Sequence, residues 1–206
     1  MKKLLSTLWL ALFATLAWAQ TPDEIISKME SVMNQHEAEG VVMTMDMKIP
    51  IVGTISTRMW TLDGLGRMET GYQDEKVVMF TDAETVWSYD TKKNEVTIEA
   101  AKHDDDKKEG DTSMFKGVTE GYDVSVKKET DTAWFLQCKK SRTNKKKDDP
   151  KNMEIVVAKG TYMPVSLSAR ISPVTMTMRD ISFGVSKDMV TYDPAKFPGA
   201  TIVDKR

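Results

Sequence analysis

The chain has 206 residues, with 29 basic and 31 acidic side chains and a formal net charge of −2. That balance excludes a nucleic-acid binder working through concentrated positive charge, because phosphate recognition needs a basic surface. One cysteine excludes an intramolecular disulfide, and the length suits a single domain that buries a core without such staples.

Met1, Lys2 and Lys3 form a positive start, residues 4–16 an apolar stretch, and Ala17-Trp18-Ala19 a small-x-small cleavage site. This is the pattern of a secretory signal peptide, so residues 1–19 are expected to be removed and Gln20 to become the first residue of one domain, 20–206. An uncleaved anchor is the alternative. Removing Lys2 and Lys3 leaves 27 basic against 31 acidic residues, a net charge of −4. No cysteine follows the cleavage site to carry a lipid, and no later stretch approaches the roughly 20 apolar residues that cross a bilayer. A soluble periplasmic protein is expected.

Thr21 or Asp23 is placed to cap a helix running to about residue 39, with Pro22 tolerated in its first turn. Ile25, Ile26, Met29, Val32 and Met33 supply its apolar stripe, and Gly40 ends it. Strands are then predicted at 41–49, 53–62, 66–72, 76–81, 85–90 and 95–100, separated by turn-like Asp63-Gly64, Asp82-Ala83 and Lys92-Lys93-Asn94. In the first of them Val41, Met43, Met45, Met47 and Ile49 share one face, opposite Val42, Thr44, Asp46 and Lys48. Fifteen methionines are present in all. Unbranched thioethers re-pack around varied shapes, which suits an apolar binding surface as well as an ordinary core. The alternation alone leaves both open.

Residues 102–110 are polar, and Met114, Phe115 and Val118 space out a short helix within 111–121, serving as a lid or as a plain connection. A second strand block follows at 122–128, 132–138, 153–158, 164–171 and 174–183, with a further strand at 189–191. Met176 and Met178 alternate with Thr175, Thr177 and Arg179 as the early methionines do. Cys138, between an aromatic run and two lysines, reads as a small core residue. The charged run 139–151 reads as a solvated hairpin tip. One long helix with so many short strands describes a mainly β fold, an antiparallel sheet curled around or against a helix.

The segment Lys76-Val77-Val78-Met79-Phe80-Thr81-Asp82-Ala83-Glu84-Thr85-Val86-Trp87-Ser88-Tyr89-Asp90 resembles the strand, turn, hydrophobic-Trp-x-Tyr hairpin of the LolA-like periplasmic lipoprotein carriers. Asp82-Ala83-Glu84 stands where that family usually reads Asp-Gly-Lys. The tail Tyr192-Asp193-Pro194-Ala195-Lys196-Phe197, with Pro198 to Asp204 after it, is similar to the family's aromatic-Asp-Pro-x-x-Phe closing segment. The resemblance spans nearly the whole chain beyond residue 19. It implies an incomplete, strongly curved antiparallel β-barrel with an N-terminal helix and a helical lid over an apolar cavity. It further implies a monomeric carrier that takes lipoprotein acyl chains from an inner-membrane export complex to an outer-membrane receptor. The family's Arg-Pro at the end of the second strand is missing near Trp60-Thr61-Leu62-Asp63-Gly64, and Arg58 and Arg67 do not match its position, so no switch residue is carried across.

The residues expected to line the cavity are Met43, Met45, Met47, Ile55, Met59, Met68, Val78, Phe80, Trp87, Ile98, Met114, Phe115, Ile155, Val165, Leu167, Met176 and Met178. Apolar neighbours in 77–79 and 86–87 leave the facing there undecided. Other readings are a lipid-binding or envelope-sensing module of the same fold, and a protein-binding module that docks a partner by strand addition. No catalytic residue is assigned: G-x-S-x-G, a phosphate loop and paired cysteines are all missing. His36 falls on the helix surface, and His103 beside Asp104, Asp105 and Asp106 lacks a fixed ligand spacing, so no metal and no cofactor are expected.

Overall fold

The structure, a computed structural model, describes residues 20–72, 75–102 and 115–206. The expected signal peptide, His103 and the cavity candidate Met114 lie outside the described residues. Helix α1 (Pro22–Gln35) begins with a reciprocal cap: Glu24 N–H donates to Thr21 Oγ1 at 3.3 Å, and Thr21 N–H donates to the Glu24 carboxylate at 3.1 Å. Two amides that the helix cannot pair internally are satisfied in this way. Ile25, Ile26, Met29 and Met33 are buried, and Val32 is half-buried. The helix ends a turn earlier than its periodicity suggests, and Glu37–Glu39 tighten into a 3₁₀ turn. His36 closes this end, with Nδ1 2.7 Å from Glu39 Oε1 and its ring stacked on Phe183 at 4.7 Å. At Gly40 φ is 71°, and a Cβ there would stand 2.6 Å from the Thr61 carbonyl oxygen and 2.8 Å from Val185 Cβ. Only glycine allows this approach.

Among the described residues twelve strands form one curled, open sheet: β1 (Val41–Ile49), β2 (Gly53–Leu62), β3 (Leu65–Tyr72), β4 (Glu75–Thr81), β5 (Thr85–Asp90), β6 (Glu95–Ala100), β7 (Tyr122–Glu129), β8 (Ala133–Lys140), β9 (Asn152–Ala158), β10 (Pro164–Ile171), β11 (Val174–Phe183) and β12 (Thr201–Asp204). Their spatial order is β12-β6-β5-β4-β3-β2-β1-β11-β10-β9-β8-β7. Every pair is antiparallel except β12, which adds to β6 in parallel. Two local expectations are corrected and one strand is added. The segment expected to be a strand at 189–191 falls in and just after the one-turn helix α2 (Lys187–Val190), and the closing residues form β12, which the sequence reading did not identify. Residues 115–121 form successive turns, closed by Val118 N–H to Phe115 carbonyl at 3.3 Å and Glu120 N–H to Gly117 carbonyl at 2.8 Å, and not the expected helix.

Each face of the sheet has its own cover. On one, α1 packs Ile25, Ile26 and Met29 against Trp134, Leu136, Cys138, Met153, Ile155, Val157 and Leu167. On the other, the chain after β11 lays Val185 and Val190 against Val42 and Trp60, then continues through Tyr192 and Phe197 over Phe80. The side beneath α1 is the helix face and the opposite side the tail face. A sheet covered on both sides carries apolar residues on both sides, so clean alternation is confined to strands with one open face.

Candidate functional site

Residues directly opposite one another in a ladder point to the same face, so the register assigns every side chain. Met43 of β1 pairs with Met59 of β2, Met59 with Met68 of β3, and Met68 with Met79 of β4. Four methionines therefore stand side by side across four strands, on the helix face. Two more pairs extend the patch across the seam between β1 and β11, where Met45 faces Met178 and Met47 faces Met176. Ile55 is opposite Met47 and belongs to the same surface. Met43 is buried, whereas Met45, Met47, Met59, Met68, Met79, Met176 and Met178 are all half-buried. Between the methionine rows Thr57 and Thr70 share a hydroxyl hydrogen bond of 2.9 Å, which spends their polarity on each other.

Helix α1 covers only part of this face. Its side chains cover the β8–β10 portion, and where it ends an apolar cavity of about 690 Å³ opens between Met33 and Ala38 on one side and Val41, Met43, Thr61, Leu65 and Gly66 on the other. Phe115, 1% exposed, lines it as well. Gly66 belongs there for a steric reason: a Cβ on it would stand 2.7 Å from Thr81 Oγ1. The volume falls within the range of about 300–1,000 Å³ typical of small-molecule pockets.

Of the residues expected at a cavity, Met43, Met45, Met47, Ile55, Met59, Met68, Phe115, Ile155, Leu167, Met176 and Met178 are on the helix face or in its cavity. Ile155 and Leu167, at 0% and 5% exposed, lie beneath α1 as core. Val78, Phe80, Trp87 and Ile98 point the other way. The ladder Trp60–Arg67–Phe80–Trp87–Ile98 is on the tail face, where Tyr192 stacks on Trp87 at 5.4 Å, and the ladder Glu69–Val78–Tyr89 points to the same side. Val165 is exposed because the pairing of β10 with β9 shifts between Pro164 and Ser166, which leaves Val165 out of register. Met79 was missed, since apolar Val77 to Phe80 carry no alternation to read; its place opposite Met68 puts it in the row.

The charged side chains of β1, β2 and β3, namely Asp46, Lys48, Arg58, Arg67 and Glu69, point to the tail face, away from the methionines. Arg67 is on the tail face, its guanidinium 4.9 Å from the Trp60 ring and 5.5 Å from Phe80, paired with Glu69. Glu69 is partly desolvated, which raises its carboxyl, but the Lys76 and Arg67 cations prevail and hold it below the ordinary range. Asp46 is likewise held low, chiefly by Arg179, whose Nε donates to its carboxylate at 2.7 Å. Cys138 is 0% exposed and burial pushes its thiol up to about 11, so it remains an inert core group. Among the described residues no cluster of His, Cys, Asp and Glu is arranged to hold a metal ion, and no helix is long and apolar enough to cross a membrane.

No family model and no curated protein matches the chain. Among solved structures it is similar to an uncharacterized conserved protein from Thermus thermophilus, at 15% identity over 89% of this chain and 98% of that one, with a TM-score of 0.49. It is also similar to a LolA superfamily protein from Nitrosomonas europaea, at 9% identity over 86% and 100% of the two chains, TM-score 0.35. A third is a putative outer membrane lipoprotein-sorting protein domain from Vibrio parahaemolyticus, at 10% identity over 81% and 97%, TM-score 0.30.

Proposed function

We propose that the chain is an exported periplasmic carrier, cleaved after Ala19, that shelters the acyl chains of lipoproteins on its helix face and moves them from the inner to the outer membrane. The observation that carries this reading is the methionine surface: Met43, Met59, Met68 and Met79 in one row, joined to the Met45–Met178 and Met47–Met176 pairs. An acyl chain in water costs about 0.8 kcal/mol per CH₂, so a carrier needs extended apolar area. It must also let go. Flexible thioethers meet both needs, because they conform to a chain without the tight keying of branched side chains. The cavity at the end of α1 would receive one end of such a chain, with Phe115 at its margin.

One observation favours a second reading, a lipid-binding or sensing module without hand-over. Arg58 and Arg67, the basic residues nearest the β2–β3 turn, both lie on the tail face, away from the methionine row. The test is to add the protein beginning at Gln20 to inner membranes bearing a tagged lipoprotein. A soluble one-to-one complex that weakens when Met68 becomes Asp supports the carrier. Binding of free fatty acid without lipoprotein release supports the sensing module, and binding of neither overturns both.

A further inference from the structure

The β1–β2 tip holds a residue at odds with its surroundings. Ile51 is 108% exposed and has a φ of 71°. The left-handed region is sterically costly for a β-branched side chain, and full exposure adds unfavourable hydration. Neither cost is recovered inside the fold. Val52 beside it is 46% exposed. The register brings a second apolar tip alongside: β1 and β11 pair out to Lys48 and Thr175, and β10 and β11 out to Ile171 and Val174. Ile171 is also 46% exposed, with Pro173 in the turn after it.

Basic side chains flank these tips along β1, β10 and the β8–β9 connection. Lys48 and Arg170 are exposed one residue below the two turns, each opposite Thr175. Because Ala169 pairs with Met153, exposed Lys151 falls level with Ile171. The β8–β9 connection that Lys151 closes adds exposed Lys145, Lys146 and Lys147, against Asp148 and Asp149. The whole chain is net acidic, so this end inverts the prevailing sign.

We propose that this end of the sheet docks onto a bilayer containing anionic phospholipid, with Ile51, Val52 and Ile171 entering the boundary between headgroups and acyl chains and the lysines and arginine meeting the headgroup charge. Apolar tips flanked by cations fit that layered surface, where apolar burial and headgroup attraction act together. A pocket on a protein partner would take the tips but has no need of the cations beside them. The proposal stands apart from whatever occupies the methionine surface.

The test is flotation of the protein beginning at Gln20, which contains every described element, with phosphatidylcholine vesicles made with and without phosphatidylglycerol. Binding is expected only with phosphatidylglycerol and should weaken as salt rises. Ile51→Ser should reduce it about tenfold. Ile51→Gly separates folding from docking: it relieves the backbone, so Tm should hold or rise while binding falls. Wild-type protein that ignores phosphatidylglycerol vesicles overturns the proposal. So does binding that survives Ile51→Ser and disappears only in the Lys146→Glu, Lys147→Glu double variant, which would be plain electrostatic adsorption.

Discussion

Trp87 and Tyr192 lie 105 positions apart in the chain and stack with their rings 5.4 Å apart and 12° from parallel. Tyr192 also touches Phe80 and Phe197, and Phe197 meets Tyr89, so the residues after β11 lie as an aromatic strap across β4 and β5. The strap fastens the side of the sheet that is turned away from the methionines.

Tyr192→Ala should therefore destabilise the fold by about 3 kcal/mol, in the range for truncating a packed aromatic. Urea unfolding followed by tryptophan fluorescence measures the loss. Binding of an acyl-chain dye per folded molecule should be unchanged, and a proportional loss of dye would place the strap at the ligand site after all.

Met68→Asp should do the reverse. Met68 is half-buried in the middle of the row, between Met59 and Met79, so a carboxylate there meets apolar neighbours on both flanks. Affinity for a fluorescent fatty acid should fall at least about tenfold, the order expected from an uncompensated polar group in an apolar contact. The titration should be paired with a melt, since a change in Tm as large as that of Tyr192→Ala would mean that the row is core.

Gly40→Ala introduces a methyl group 2.6 Å from the Thr61 carbonyl at a left-handed φ. Strain and overlap together should cost about 2–4 kcal/mol. Differential scanning calorimetry reads this directly, and a cost near zero would show that the junction between α1 and β1 is free to shift.

Asp46 and Glu69 are both held below their ordinary values of 3.8 and 4.5. Their folded forms bind protons less readily than the unfolded chain, so the stability they contribute is complete above about pH 5 and is lost as the pH falls through their lowered values. Both pairs are partly exposed, and the effect is small, about 0–1 kcal/mol each. Unfolding free energy measured between pH 6 and pH 3 should decline, and Arg179→Gln should flatten part of that decline.

The sequence carries the strands and the methionine face of β1 because that face is only partly covered: Met43, Met45 and Met47 alternate with Thr44, Asp46 and Lys48. It carries α1 for the same reason, with one face buried and one in water. It marks β4 and β5 as strands but is silent about which way their side chains face. Val77, Val78, Met79 and Phe80 are apolar in succession because methionines occupy one side of the sheet and the aromatic strap the other. Only pairing decides which is which, and pairing is a long-range property, so the sequence alone puts Phe80 and Trp87 with the cavity and passes over Met79. Val165 was misplaced by a one-residue register shift, and no local signal marks it. The last strand was missed because a four-residue segment gains its hydrogen bonds from β6, not from its own composition.

The order of the strands also sets how the chain must assemble. Strands β1 to β6 form successive hairpins, as β7 to β11 do, and each can zip up from local contacts. The seam between β1 and β11 is different: Asp46 and Arg179, which meet across it at 2.7 Å, are separated by 133 residues. Until β11 has been made, the outer edge of β1 has no partner and the Met45–Met178 and Met47–Met176 contacts do not exist. A half-made chain is thus an open sheet edge beside a row of bare thioethers, the arrangement most prone to pairing with another copy. Closing that seam has to wait for β11, and a delay there leaves the methionine surface open to aggregation.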